Sequence, residues 1–350
     1  MVCRNGVKLE TINGKTIMTR ILMMGTGAFA VPTFEALCEN GEFDVVGLVT
    51  RPVAAAVRTH GKLRTPTTPM RESAAKKRIA GDEPMPVFDP PDVNSQESVA
   101  RLREFGADLF IVCDYGQILS AEALAVPRLG CLNLHGSLLP KYRGASPVSW
   151  AIYHGERTTG VSVIRMTPRL DAGGVIAQAE LEIGDSETTA ELEPRLARIG
   201  APLVLMAVDN VVAERDQPIL QDPALVTHAP RLRRESGEID WTMSAAQIRN
   251  HWRSMEPWPR SFTWWQRDAE PMRLTLGGVE IIPVDAIAPT WPGQIPGTIL
   301  EAVRDRLIVA TGDGAVRITE IQPASKKTFS AAAFINGYHP QSGQRFGNET

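Results

Sequence analysis

From residue 20 onward the chain alternates short apolar runs with helix-length segments, and that alternation limits the fold more than any other feature. Residues 20–24 form an apolar run closed by the turn Gly25-Thr26-Gly27, and a helical pattern fills 31–40. The strand signature returns at 45–50, 87–88, 109–113, 131–135, 161–166 and 175–181. Helical stretches at 70–78, 94–105, 146–153 and 188–212 fall among and after these runs, with Asn94 read as an N-cap. Strands alternating with helices predict a mostly parallel, Rossmann-like α/β sheet. That fold class says little about function.

The pattern changes after residue 212. Residues 217–232 carry Pro218, Pro223 and Pro230 and read as a linker. One helical stretch lies within 239–255. Short strand-like runs then follow at 262–266, 273–282, 297–302, 307–310 and 316–321, punctuated by Gly and Pro. This spacing predicts a small OB-like β-barrel. The chain of 350 residues has length for two domains. The expected division is an extension at 1–17, an α/β domain at 18–212, a linker at 213–226, a barrel domain at 227–344 and a tail at 345–350. Residues 1–17 lack the apolar core of a secretory leader and read as an upstream-start extension or a mobile tail. Residues 51–69 show no period and read as a long loop.

Composition excludes some functions. The formal charge is −3, so bulk charge does not favour nucleic acid, although a local basic patch remains open. The four cysteines form no CxxC pair, and Cys113 and Cys131 read as core residues. That pattern suits a reducing cytoplasm. No apolar stretch reaches the ~20 residues a membrane span needs.

The polar residues of LNLHGSLLPKYRG, 132–144, are the richest in chemistry. Asn133 and His135 lie two apart on a predicted strand and so share a face. The carboxyl end of a parallel strand is where α/β folds place ligands. A lone histidine there is more often a hydrogen-bonded structural residue. Ser137 has no G-x-S-x-G elbow and is not a nucleophile. No further His or carboxylate supports a metal, and none is expected. Asp171 stands in the turn MTPRLDAGGVI, 166–176. An Asp in such a turn usually caps it, and only its grouping with Asn133 and His135 gives it interest. GTGAFA lacks the third glycine of G-x-G-x-x-G, so no nicotinamide cofactor is expected.

LNLHGSLLPKYRGASPV followed by TGVSVIRMTPRLDAGGVI resembles the formyltransferase family that uses 10-formyltetrahydrofolate. The resemblance implies that Asn133, His135 and Asp171 form the catalytic trio. It implies that Ser137, Leu138, Leu139 and Pro140 help bind the folate, with Tyr115, Gly116, Gln117 and Ile118. IDWTMSAAQIRNHWRSMEPWP at 239–259 and TGDGAVRITEIQPASKK at 311–327 resemble the branch whose acceptor is initiator methionyl-tRNA. The implied partners are that tRNA and 10-formyltetrahydrofolate, in translation initiation, with a cytoplasmic monomer. Arg58, Lys62, Arg64, Arg231, Arg233, Arg234, Lys326 and Lys327 are the candidate tRNA contacts, each otherwise a solvated surface charge.

The resemblance covers about residues 18–340 and has departures. Gly27 stands where Pro is usual, RLDAGG replaces GLDTGD so that Gly174 stands for a second Asp, and Ser325 replaces Gly. In the implied chemistry, Asn133 and a charged His135 stabilise negative charge on the formyl oxygen. Asp171 orients the imidazole and helps take a proton from the attacking amine. A formyltransferase for a sugar amine or a purine precursor, or an inactive tRNA- or folate-binding module, are the rival readings.

Overall fold

The computed structural model describes residues 18–53, 66–79, 82–267, 270–283, 291 and 293–347, with the backbone alone of short strands at Cys3–Arg4, Val7–Lys8, Thr11–Ile12, Lys15–Thr16, Val57–Thr59 and Lys62–Arg64. The chain divides into two compact units. One comprises Met1–Pro147, Thr158–Glu182 and Glu193–Pro230; the other comprises Val148–Arg157, Ile183–Leu192 and Arg231–Thr350.

A seven-stranded sheet organises the first unit. Its strands are β1 (Thr19–Met24), β2 (Phe43–Val49), β3 (Val87–Phe88), β4 (Leu109–Val112), β5 (Cys131–His135), β6 (Thr158–Arg165) and β7 (Val175–Glu182). The spatial order is β7-β6-β5-β4-β1-β2-β3. Neighbours from β5 to β3 are parallel, whereas β6 runs antiparallel to both β5 and β7. Strands covered on both faces carry unbroken apolar runs. Accordingly, Ile21, Leu22, Met23 and Met24 are all fully buried. The order reverses between β1 and β4, which opens a crevice at their carboxyl ends, the usual ligand position in such sheets.

The helices of this unit follow local signals. The helix α1 (Val31–Glu39) starts with Pro32 in its first turn, where a missing N–H costs nothing. Thr68 caps α2 (Pro69–Ala74), which stops four residues short of the expected end. Ser95, not Asn94, caps α3 (Gln96–Glu104) by accepting from Ser98 N. Asn94 is engaged elsewhere: it accepts from Ser120 N and donates to Ile118 O. Next comes α4 (Ala121–Leu124), whereas α5 (Pro147–Tyr153) belongs, apart from Pro147, to the second unit. The long helix α6 (Thr189–Val212) packs Gly200 against Leu134 of β5, leaving no room for a Cβ.

The stretch 51–69 is not a plain loop. Val57–Thr59 pairs antiparallel with Lys62–Arg64, and the β-branched Val57 and Thr59 suit a strand. The side chains of Arg58, Lys62 and Arg64 lie outside the described residues. Within 1–17, Cys3–Arg4 pairs with Val7–Lys8 and Thr11–Ile12 with Lys15–Thr16.

The second unit is a curled antiparallel sheet. It contains α7 (Ala245–Met255), β8 (Phe262–Trp265), β9 (Met272–Ile281), β10 (Ile299–Val303), β11 (Arg306–Ala310), β12 (Ala315–Pro323), β13 (Phe329–Ser330) and α8 (Ala331–Tyr338). The order is β8-β9-β12-β11-β10, with β13 on β12. A Ser244–Gln247 capping box starts α7. Residues 343–347 join the two edge strands. Arg345 bridges Thr298 beside β10, and Phe346 bridges Trp265 on β8. The Phe346 ring is buried against Trp241. Residues 345–347, read as a tail, therefore complete the barrel.

Candidate active site

Strand β5 positions the first two polar groups. Val112 of β4 pairs with Asn133, and His135 pairs with Ser162 of β6. Alternation then puts Asn133 and His135 on one face. His135 is buried, with Nε2 2.9 Å from the Tyr142 carbonyl. A carbonyl only accepts, so Nε2 carries the hydrogen. The other nitrogen, Nδ1, lies 3.7 Å from Asp171 Oδ2, a separation that becomes an ion pair when the imidazole is protonated.

Asp171 adopts left-handed backbone at φ 48°, which Asp tolerates better than most residues. Its Oδ2 also accepts from Gly144 N at 2.9 Å. Its Oδ1 and the half-buried amide of Asn133 make no hydrogen bond among the described residues. Sequence reasoning missed Tyr142 and Gly144. Both act through the backbone, which side-chain identity does not reveal.

The 137–140 segment is held from below. Ser162 Oγ donates to Ser137 O at 2.6 Å and accepts from Leu139 N at 3.0 Å. Gln178 Nε2 donates to Leu139 O at 2.9 Å. Ser137 is buried, with its hydroxyl donating to Lys141 O at 2.7 Å. Leu139 is buried, whereas Leu138 and Pro140 are half-buried.

At 115–118, Tyr115 is buried, Gly116 takes φ 85° and Ile118 is exposed. The Gln117 side chain is committed to the fold: it accepts from Val93 N at 3.0 Å and donates to Pro90 O at 3.1 Å.

Two acids at the carboxyl edge escaped the sequence reading. Asp114 follows β4; water reaches it, yet protein crowds it, and desolvation pushes it up to about 6 against a hydrogen bond from Gly27. Glu193 is likewise open to water yet crowded by protein, and desolvation, then the charge of Asp114, pushes it up to about 7.

In the second unit Arg231, Arg233, Arg234, Lys326 and Lys327 are all exposed. Ser325 sits at φ 61°, the conformation that makes Gly usual there. Arg273, absent from the sequence reading, lies 3.9 Å over the Phe262 ring. Burial holds its pKa below the usual value; Glu238 opposes this, and Arg234 and Arg260 add to it. Three arginines thus converge. Among the described residues no three His, Cys, Asp or Glu side chains are grouped as metal ligands, and no helix is long and apolar enough to cross a membrane.

Family models fit this arrangement. Residues 19–208 match the formyl transferase model and residues 231–339 match the formyl transferase C-terminal domain model. The chain belongs to the formyl transferase family. Within it, the relatives are methionyl-tRNA formyltransferases. The Rhodopirellula baltica protein of that name is 39% identical over 337 residues, covering 93% of this chain and 96% of the relative. The Symbiobacterium thermophilum one is 40% identical over 331 residues, covering 94% and 95%.

The fold recurs in solved structures of low identity. An N-formyltransferase from Helicobacter canadensis in complex with folinic acid and dTDP-3-aminofucose gives a TM-score of 0.58 at 14% identity, covering 86% of this chain and 99% of that one. HypX from Aquifex aeolicus in complex with tetrahydrofolic acid gives 0.57 at 17%, covering 93% and 48%.

Proposed function

We propose that the protein transfers the formyl group of 10-formyltetrahydrofolate to the α-amino group of methionine on initiator tRNA, as a cytoplasmic monomer in translation initiation. The observation that carries this reading is the meeting of His135 and Asp171, on a strand end and a turn 36 residues apart, beside the uncommitted amide of Asn133. Near-full-length likeness to methionyl-tRNA formyltransferases supports the acceptor.

The residues fit a bound formyl donor, because Asn133 offers a free donor and Asp171 Oδ1 a free acceptor at one strand end. The folate supplies an activated formyl carbonyl. Asn133 donates to the formyl oxygen as negative charge develops on it; a donor aimed this way is worth about 3–4 kcal/mol. With Nε2 held by Tyr142 O, His135 acts chiefly through its positive charge beside Asp171. Asp171 Oδ1 takes a proton from the substrate ammonium, directly or through water, which frees the amine to attack the formyl carbon; the bond from that carbon to the folate nitrogen then breaks as the nitrogen regains a proton.

The test is to incubate purified protein with 10-formyltetrahydrofolate and methionyl-tRNA and to look for formylmethionine after deacylation. A protein that formylates a sugar amine but not the charged tRNA would overturn the acceptor assignment.

A further inference from the structure

The segment read as a linker is built into the catalytic unit. Ile219 exchanges two backbone hydrogen bonds with Val175, each 2.8 Å. Pro218 packs on Gly174 so closely that a Cβ there would come within 2.6 Å, which accounts for glycine in place of the usual Asp. Further on, Thr227 Oγ1 accepts from Tyr142 N at 2.8 Å, Thr227 O accepts from Arg143 N at 2.9 Å, and Ala229 N donates to Arg143 O at 2.7 Å.

Gln221 is the centre of this strap. Its Nε2 donates to Asp171 O at 2.7 Å and to Gly173 O at 2.8 Å. Its Oε1 accepts from Arg143 Nε at 3.0 Å and Nη2 at 2.7 Å. Two donors and two lone pairs are an amide's full capacity. The orientation is forced, since carbonyls cannot donate and a guanidinium cannot accept. One side chain therefore joins the turn that bears Asp171 to the loop whose Tyr142 and Gly144 backbones hold His135 and Asp171.

We propose that Gln221 is a positioning residue for formyl transfer: its amide fixes the Asp171 turn against the Arg143 loop and so sets the His135–Asp171 separation. This rests on the catalytic reading of His135 and Asp171. The left-handed backbone of Asp171 needs support from its surroundings, and these two bonds tie down its own carbonyl and that of Gly173. Glutamate at 221 would keep the acceptor for Arg143 but place a carboxylate against two carbonyl oxygens, so Gln221→Glu separates the two halves of the role.

The experiment compares full-length Gln221→Glu, Gln221→Met and Asp171→Asn with the unaltered protein. It reads kcat and KM for formyl transfer to methionyl-tRNA, affinity for 5-formyltetrahydrofolate, and Tm. Both Gln221 variants should lose about 10- to 100-fold in kcat, the cost of a small misplacement, with folate affinity within twofold. In Gln221→Glu the Arg143 guanidinium keeps the new carboxylate ionised, so its loss in kcat should persist from about pH 8 to about pH 5.5. Gln221→Met keeps the test open if the Glu variant does not fold. A kcat within twofold in either variant overturns the proposal. So does a loss matched by lowered Tm and equally weakened folate binding. Full activity in Asp171→Asn would remove the catalytic reading itself, whereas an inactive Asp171→Asn beside an active Gln221→Glu removes only the positioning role.

Discussion

The carboxylate of Asp114 occupies the space that a side chain on Gly27 would need: a Cβ at position 27 overlaps Asp114 Oδ2, and the Gly27 amide donates to that carboxyl. Proline, usual at this position in similar sequences, has neither the room nor the N–H. The glycine and the acid therefore belong together. Because the overlapping atoms end a side chain that water reaches, Gly27→Ala should cost about 0.5–1 kcal/mol, as the carboxylate swings away and gives up its hydrogen bond from Gly27. In an Asp114→Ala background the same change should cost under about 0.5 kcal/mol. Denaturant melts of the four proteins give the coupling; additive effects would show that the two residues do not share this space.

Changing Asn133, His135 or Asp171 to Ala should each cut formyl transfer at least ~100-fold, the scale of a lost oxyanion donor or acid–base group. The stability costs should differ. His135→Ala removes a buried imidazole's hydrogen bond to the Tyr142 carbonyl, at about 0.5–1.5 kcal/mol. Asn133→Ala breaks no hydrogen bond among the described residues and should melt with the unaltered protein. Near-normal turnover by His135→Ala would sink the mechanism.

The sheet was legible because its central strands are buried on both faces and read as apolar runs, such as 20–24 and 109–113. The positions of Asn133 and His135 were legible from strand alternation. The rest depended on contacts distant in sequence. Gln221 looks like linker composition until its amide is seen against Asp171 and Arg143, 50 and 78 residues away. Phe346 looks like tail until it bridges Trp265. Asn94 follows the capping rule as well as Ser95 does, and only the bonds to Ser120 and Ile118 decide between them. The hairpin at 57–64 is too short to show a period.

His251 should make the second unit acid-sensitive. Its Nε2–H donates to Ser236 O at 3.0 Å, Nδ1 accepts from Ser261 Oγ at 2.8 Å, and burial lowers its pKa from 6.5 to about 4. Because the folded value is depressed, the unfolded chain binds the proton first as pH falls. The stabilisation is complete above about 6.5 and is lost towards about 4, in total on the order of 3 kcal/mol. His251→Gln should be less stable near neutral pH, and its deficit should shrink on acidification. Thermal melts from pH 7.5 to 4 check this, and a deficit independent of pH would rule out the titration.

We propose Arg234, Arg260 and Arg273 as a basic group that meets tRNA phosphates. Arg273 is stacked on Phe262, and Arg260 is fixed by Gln322 at 2.7 Å and by Glu256 at 3.3 Å. Arg234 is exposed, yet near enough to Arg273 to lower its pKa, while Glu238 and Glu256 offset part of the positive charge. Such a site gains by releasing counterions when a phosphate binds. A chain with net charge −3 needs local charge of this kind. Replacing Arg234 and Arg260 by Ala should weaken methionyl-tRNA binding and flatten the plot of log Kd against log salt by about 0.9 for each phosphate no longer neutralised. Replacing Lys326 and Lys327 should do the same if the exposed pair also meets the tRNA backbone. Affinity for 5-formyltetrahydrofolate should not change in either variant. Titrations at several salt concentrations decide the matter: an unchanged slope with the arginines removed would mean that other residues carry the tRNA.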